Sequence, residues 1–153
     1  MSQTYEIMFL IDNNTVRAGW KEAKASMTGL IEKHGGKTLA ARRWDERRLA
    51  YPIRHRRRGT YLLTYAELPG PAVANLRREL DLTESVLRYL ILSVERIPAQ
   101  ELELTKAESA ADFRVPEPPP DDVPEAEERD GADDEEAEKA EAAPEMELAE
   151  EEV

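Results

Sequence analysis

Between Arg42 and Tyr65 the chain reads RRWDERRLAYPIRHRRRGTYLLTY, and the chemistry this stretch can do is anion binding. Arg42, Arg43, Arg47, Arg48, Arg54, Arg56, Arg57 and Arg58 are opposed only by Asp45 and Glu46, a local charge of +6. All eight cations are arginine. A guanidinium stays charged at physiological pH, is planar, and grips two oxygens of one phosphate at once. An all-Arg run therefore suits an RNA backbone better than a Lys face made for solubility would. Exposed arginine is also common as plain solvated surface at a hairpin tip. Against that stands the density, eight arginines within seventeen residues and beside tyrosines.

Spacing says how these groups are presented. Leu49, Tyr51 and Ile53 alternate with Ala50 and Pro52, which predicts a strand with one apolar face open to a partner. A basic turn, Arg54-His55-Arg56-Arg57-Arg58, follows and is closed by Gly59. On that phase Arg47 shares the face of Leu49 and Tyr51 while Arg48 points to the other. Arg88, in a later strand, adds a further cation; Arg77 and Arg78, on a helical stripe, pair with Asp81 or Glu84 or face water. The run Arg58-Gly59-Thr60-Tyr61-Leu62-Leu63-Thr64-Tyr65 partly matches the base-stacking strand of RNA-recognition motifs, but Thr60 and Leu62 stand where that strand needs aromatics. Tyr61 and Tyr65 are in the opposite phase and are expected beneath the helices. Backbone and shape recognition is favoured over base reading.

Catalytic chemistry finds little to work with. The two histidines, His34 and His55, sit at a helix end and inside the Arg run, and there is no cysteine, so neither a metal centre nor a nucleophile is assembled. No cofactor or small-molecule substrate is implied. After the first strand comes Asp12-Asn13-Asn14, where a phosphate loop would need glycines, and Asp12 would repel the anion. Trp20 and Trp44 are packing residues in most settings.

The elements that must hold this surface can be read in order. Tyr5 to Ile11 is a short apolar strand, stopped by Asp12 to Thr15, which are helix-capping residues. Val16, Trp20, Ala23, Met27, Leu30, Ile31 and His34 recur at helical spacing, predicting one helix from Thr15 to His34 that Gly35-Gly36 ends. Gly19 inside it costs about 1 kcal/mol relative to Ala. A second strand runs from Lys37 to Ile53, long enough to need a bulge near Asp45-Glu46, and Pro52 places it at a sheet edge. Thr60 to Glu67 is the third strand, Val73, Leu76 and Leu80 mark the second helix, and Val86 to Ile97 is the fourth strand. The order βαββαβ predicts an α+β, ferredoxin-like domain: a four-stranded antiparallel sheet with two helices on one face. The other face is left to solvent or a partner.

Charge divides the chain in two. Residues 1–98 carry +6 and residues 99–153 carry −18, together the −12 of the whole. A domain of about 100 residues can bury one core. The second part, with Phe113 as its only aromatic and a Pro116–Pro120 break, is too polar to pay for its own ordering, so 1–98 is expected to fold and 99–153 to form a disordered acidic, Pro/Glu/Ala-rich tail, in which Glu101 to Glu108 could prolong order for a turn or two. No early segment resembles a signal peptide, and no apolar run nears the roughly 20 residues a bilayer requires, so the expected location is cytoplasmic, away from membranes.

The run Arg47-Arg48-Leu49-Ala50-Tyr51-Pro52-Ile53, preceded by Trp44 and followed by Gly59-x-Tyr61, resembles the family of the sixth protein of the bacterial small ribosomal subunit. Tyr5-Glu6 and Val86-Leu87-Arg88 extend the resemblance over residues 3–97. It implies a ferredoxin-like fold and a non-enzymatic role on the ribosome, binding the central domain of small-subunit ribosomal RNA together with the eighteenth small-subunit protein. One departure stands out. Asp45 occupies a place where the family commonly has Gly; Asp tolerates left-handed backbone, but its charge works against a phosphate contact there. The alternatives are a free-standing RNA-binding module of the same fold, acting on messenger or regulatory RNA, and, further off, a ferredoxin-like enzyme or small-molecule sensor.

Overall fold

The computed structural model describes residues 1–121, which form one compact unit. The elements are β1 (Ser2–Asp12), α1 (Asn13–Ala18), α2 (Trp20–Lys33), β2 (Lys37–Ile53), β3 (Arg56–Pro69), α3 (Gly70–Leu82), β4 (Val86–Val94) and α4 (Ala99–Glu108). The four strands form one antiparallel sheet in the order β2-β3-β1-β4, so β2 and β4 are its edges. This is the expected ferredoxin-like arrangement, with β2 at the edge as Pro52 requires.

Alternation along β1 sets the layers. Ile7, Phe9 and Ile11 are fully buried and point at the helices, where Met27 and Ile31 of α2 and Leu76 and Leu80 of α3 meet them, joined by Leu62, Ala66 and Leu68 of β3. Both helices therefore cover one face with their three- and four-residue stripes, and removal of this apolar surface from water is the main stabilising term.

One expectation about the helices needs correction. The single helix from Thr15 to His34 is two, because Gly19 adopts extended backbone (φ 162°, ψ 121°) between α1 and α2. The break lets Asp12 cap α1 through Asn14 N–H at 3.0 Å while the apolar stripe of α2 stays on the sheet. At the far end, Gly35 takes the left-handed conformation (φ 82°) and its N–H and that of Gly36 return to the carbonyls of Glu32 and Ile31.

The chain does not lose order at Pro98. Residues 99–121 belong to the same unit, and α4 runs along the β2 edge although none of its residues is buried. Ile97 leads into it by packing on the cluster of Ala40, Leu63 and Tyr65, so one end of the helix-free face is crossed by the chain itself. Beyond α4, Arg17 donates to the carbonyls of Pro118 (3.2 Å) and Pro119 (2.7 Å). The acidic stretch from Glu125 to Glu152 lies outside the described residues.

A Cβ on Gly36 would stand 2.8 Å from the Ile31 carbonyl oxygen and 2.7 Å from the Leu68 side chain. Gly36→Ala is therefore expected to lower stability by about 1–3 kcal/mol, read as a reduced urea midpoint with unchanged slope.

Candidate nucleic-acid interface

Residues directly opposite one another in an antiparallel sheet share a face, and the register assigns each arginine. Three rows cross the helix-free face: Arg88–Leu10–Tyr61–Asp45, Leu90–Met8–Leu63–Arg42 and Leu92–Glu6–Tyr65–Ala40. Strand β2 keeps this register only through irregularities, between Thr38 and Ala40, between Arg43 and Asp45, and between Arg48 and Ile53. The second is the bulge expected near Asp45-Glu46. Its extra residue is Trp44, and neither Trp44 nor Asp45 has a positive φ.

The basic turn is shorter than its sequence implied. Ile53 pairs with Arg56, so the tip is Arg54-His55 alone, with φ of 47° and 64°. Two positive φ values in a two-residue loop mark the turn that matches strand twist, ordinarily built from Asn and Gly. Arg56, Arg57 and Arg58 are therefore residues of β3, and Gly59 lies within the strand opposite Arg47 and Asp12.

Alternation then separates the cations. Arg58 points to the helix side and is buried, its Nε and one terminal nitrogen donating to the two carboxylate oxygens of Glu46 at 2.9 and 3.0 Å. Glu46 also accepts from Asn13 Nδ2 at 3.1 Å, and Asn13 Oδ1 accepts from Thr60 at 2.8 Å. Arg58, expected to bind RNA, is thus an interior cation. Arg48, opposite Arg58, shares the helix side and is half-buried.

Arg42 and Arg43 are also engaged within the chain. Arg42 forms a two-pronged pair with Glu101 of α4, and that contact, ahead of the cost of its burial, holds the guanidinium even more firmly protonated. The Arg43 backbone N–H donates to Glu108, while its Nε is buried without a hydrogen-bond partner among the described residues.

The remaining cations are outward. Arg47 lies 5.0 Å over the Trp44 ring and donates to Asp45 at 2.7 and 3.1 Å, with Trp44 edge-on to Tyr61 at 5.6 Å. Arg54 leans toward the Val86 carbonyl at 3.3 Å, and Arg56 contacts Asp12 at 3.2 Å. Arg57 and Arg88 are exposed without a partner among the described residues. The hairpin tip thus lies beside the start of β4, bringing these five arginines to one end of the sheet.

The candidate partner residues divide as well. Ile53 is buried against Leu10 and Leu87, Leu49 packs half-buried on the same cluster, and only Tyr51 is exposed, at 60%. Tyr61 and Tyr65 are not beneath the helices. They lie on the opposite face, because Leu62, Ala66 and Leu68 supply the core side of β3. Tyr65 is nonetheless covered, donating to Glu6 at 2.7 Å, with burial pushing its hydroxyl pKa up. What the sequence reading missed is the apolar pair Leu90 and Leu92, 54% and 46% exposed on the helix-free face of β4. Their alternation with Tyr89 and Ile91 was the available signal.

Comparison with known proteins gives the family and the fold. The family model "Ribosomal protein S6" matches residues 4–93. The "Small ribosomal subunit protein bS6" of Fusobacterium nucleatum is 34% identical over 88 residues, covering 58% of this chain and 94% of that protein. The bS6 protein of Bartonella tribocorum is 36% identical over 92 residues, 60% of this chain and 68% of its own. The crystal structure of 30S ribosomal protein S6 from Thermotoga maritima superposes with a TM-score of 0.55 at 22% identity, covering 71% of this chain and 98% of that one, a likeness of fold.

Removing one member of a buried, hydrogen-bonded ion pair takes a two-pronged contact away from a charge that is already out of water. Glu46→Ala is expected to cost about 3–5 kcal/mol in urea unfolding, and Glu46→Leu with Arg58→Met much less. Conversely, His55→Gly should raise stability by about 1 kcal/mol by relieving left-handed backbone, which a thermal melt will register.

Proposed function

The chain belongs to the ribosomal protein S6 family, and from that premise we propose that its Arg-bearing sheet end holds the backbone of small-subunit ribosomal RNA, in the central domain, while its helix-free face receives the eighteenth small-subunit protein. Family membership makes it a non-enzymatic constituent of the small ribosomal subunit. The RNA and partner assignments are ours.

The observation that carries the RNA assignment is the gathering of Arg47, Arg54, Arg56, Arg57 and Arg88 at one end of the sheet. Three of them have carboxylate or carbonyl contacts that phosphate can exchange with, and Arg57 and Arg88 have no described partner. Several guanidinium groups on rigid strands fix the position of a phosphate backbone without specifying bases. Trp44 adds exposed aromatic surface beside Arg47, suited to packing on ribose or a splayed base.

For the partner, the apolar strip of Leu90, Leu92 and Met8 supports a protein contact, since exposed leucines in a row on rigid backbone favour burial under another chain. Ile53 is excluded from the contact by its own burial; Tyr51 and the outer part of Leu49 stay in it.

The triple variant Arg47→Ala, Arg57→Ala, Arg88→Ala tests the RNA assignment. It should keep the native circular dichroism spectrum, weaken binding to a central-domain ribosomal RNA fragment strongly, and flatten the log–log salt slope by about 2–3 units. Unchanged affinity and slope would remove this end of the sheet from the interface.

A further inference from the structure

The edge of β2 carries a second set of donors, and they converge. Arg42 offers Nε and a terminal nitrogen, Arg43 its backbone N–H, Lys24 its ammonium and Trp20 its indole N–H. Every one of these now ends on a carboxylate of α4: Arg42 on Glu101, the other three on Glu108, with Lys24 and Trp20 both at 2.9 Å. The two acids stand two helical turns apart, and the anion positions they mark are well shielded, Glu108 being 6% and Glu101 15% exposed in the side chain. The buried Nε of Arg43, without a hydrogen-bond partner among the described residues, adds an unused donor.

Within the helix these carboxylates are the main attachment: none of its residues is fully buried, and Leu102 and Leu104 remain 38% exposed, while the chain on either side is anchored by Ile97 on the Ala40 cluster and by Arg17 on the Pro118 and Pro119 carbonyls. The helix also lies beyond the family match, which ends at residue 93. A surface whose cations are ordered and desolvated in advance, but whose occupant is fixed chiefly by charge, is arranged for exchange of one anion for another.

We propose that the Arg42–Arg43–Lys24–Trp20 edge is an additional RNA-phosphate site, that α4 closes it by setting Glu101 and Glu108 in the phosphate positions, and that RNA opens it by displacing α4. The proposal rests on the RNA-backbone assignment above. Displacement leaves no cation unpaired, because phosphates replace carboxylates one for one. A weakly attracted RNA meets the closed edge and only the Arg47–Arg57–Arg88 end, while an RNA long enough to follow the sheet from that end onto β2 gains the second site. α4 thus discriminates against short or loosely held RNA.

The test uses the full chain, with a labelled central-domain ribosomal RNA fragment and an unrelated RNA hairpin of equal length as probes. Glu101→Ala with Glu108→Ala, changes that favour the helix itself, should tighten both probes by about tenfold at low salt and steepen the log–log salt slope by about 1–2 units. Addition of Arg42→Ala should reverse both effects. In the unsubstituted chain, amides of α4 should lose hydrogen-exchange protection on saturation with the ribosomal fragment, while those of β1 keep theirs. No change in affinity or slope, a gain that survives Arg42→Ala, or α4 protection unaltered by RNA would each overturn the proposal. Failure of every form of the chain to bind either RNA would overturn the RNA assignment itself, a different outcome from binding that ignores α4.

Discussion

The carboxylate of Glu46 in β2 meets the guanidinium of Arg58 in β3 in a two-pronged contact that Asn13 of α1 joins, and the order of the Arg-rich hairpin depends on it. Glu46 lies opposite Thr60 and Arg48 opposite Arg58, so the pair bridges neighbouring positions of β2 and β3 on the helix side. A slip of one residue between these strands would turn Glu46 and Arg58 to opposite faces and break their two-pronged contact. The pair thus specifies register as well as contributing energy, and with register fixed, the arginines at alternate positions are fixed to one side or the other. Asn13 and Thr60 complete the network and tie the first turn of α1 to the sheet.

From that register follows the division of labour. Arg58 is interior, Arg42 and Arg43 lie along an edge occupied by α4, and Arg47, Arg54, Arg56, Arg57 and Arg88 face outward at one end. The bulge at Trp44 shifts the phase of β2, putting Arg42 and Arg47, five residues apart, on the same face. Trp44 itself then braces Arg47 and Tyr61. Asp45 accepts from Arg47, so its charge is turned to positioning a cation, and no left-handed backbone is needed.

Much of this was legible in the sequence. Periodicity gave β1, both helical stripes and β4; Pro52 gave the edge, and the length of the second strand gave the bulge. The phase of β3 was not legible, because its two faces are almost equally apolar: Tyr61, Leu63 and Tyr65 alternate with Leu62, Thr64 and Ala66, and both sets are covered. Arg58 could not be told from its neighbours without knowing that Glu46 lies across from it. α4 lacked an apolar stripe, since its attachments are Glu101 and Glu108, and so no more than a turn or two of order was legible there. In each case the deciding partner was distant in sequence.

The sorting of the arginines by burial is the central claim, and the arginine Nε–H resonances in nitrogen-15 NMR, followed as central-domain ribosomal RNA is added, test it most directly. The account predicts that the Nε–H signals of Arg47, Arg54, Arg57 and Arg88 shift on addition of RNA and exchange rapidly with solvent in its absence, while that of Arg58 stays in place and is protected throughout. An Arg58 signal that exchanges and shifts with the others would contradict it.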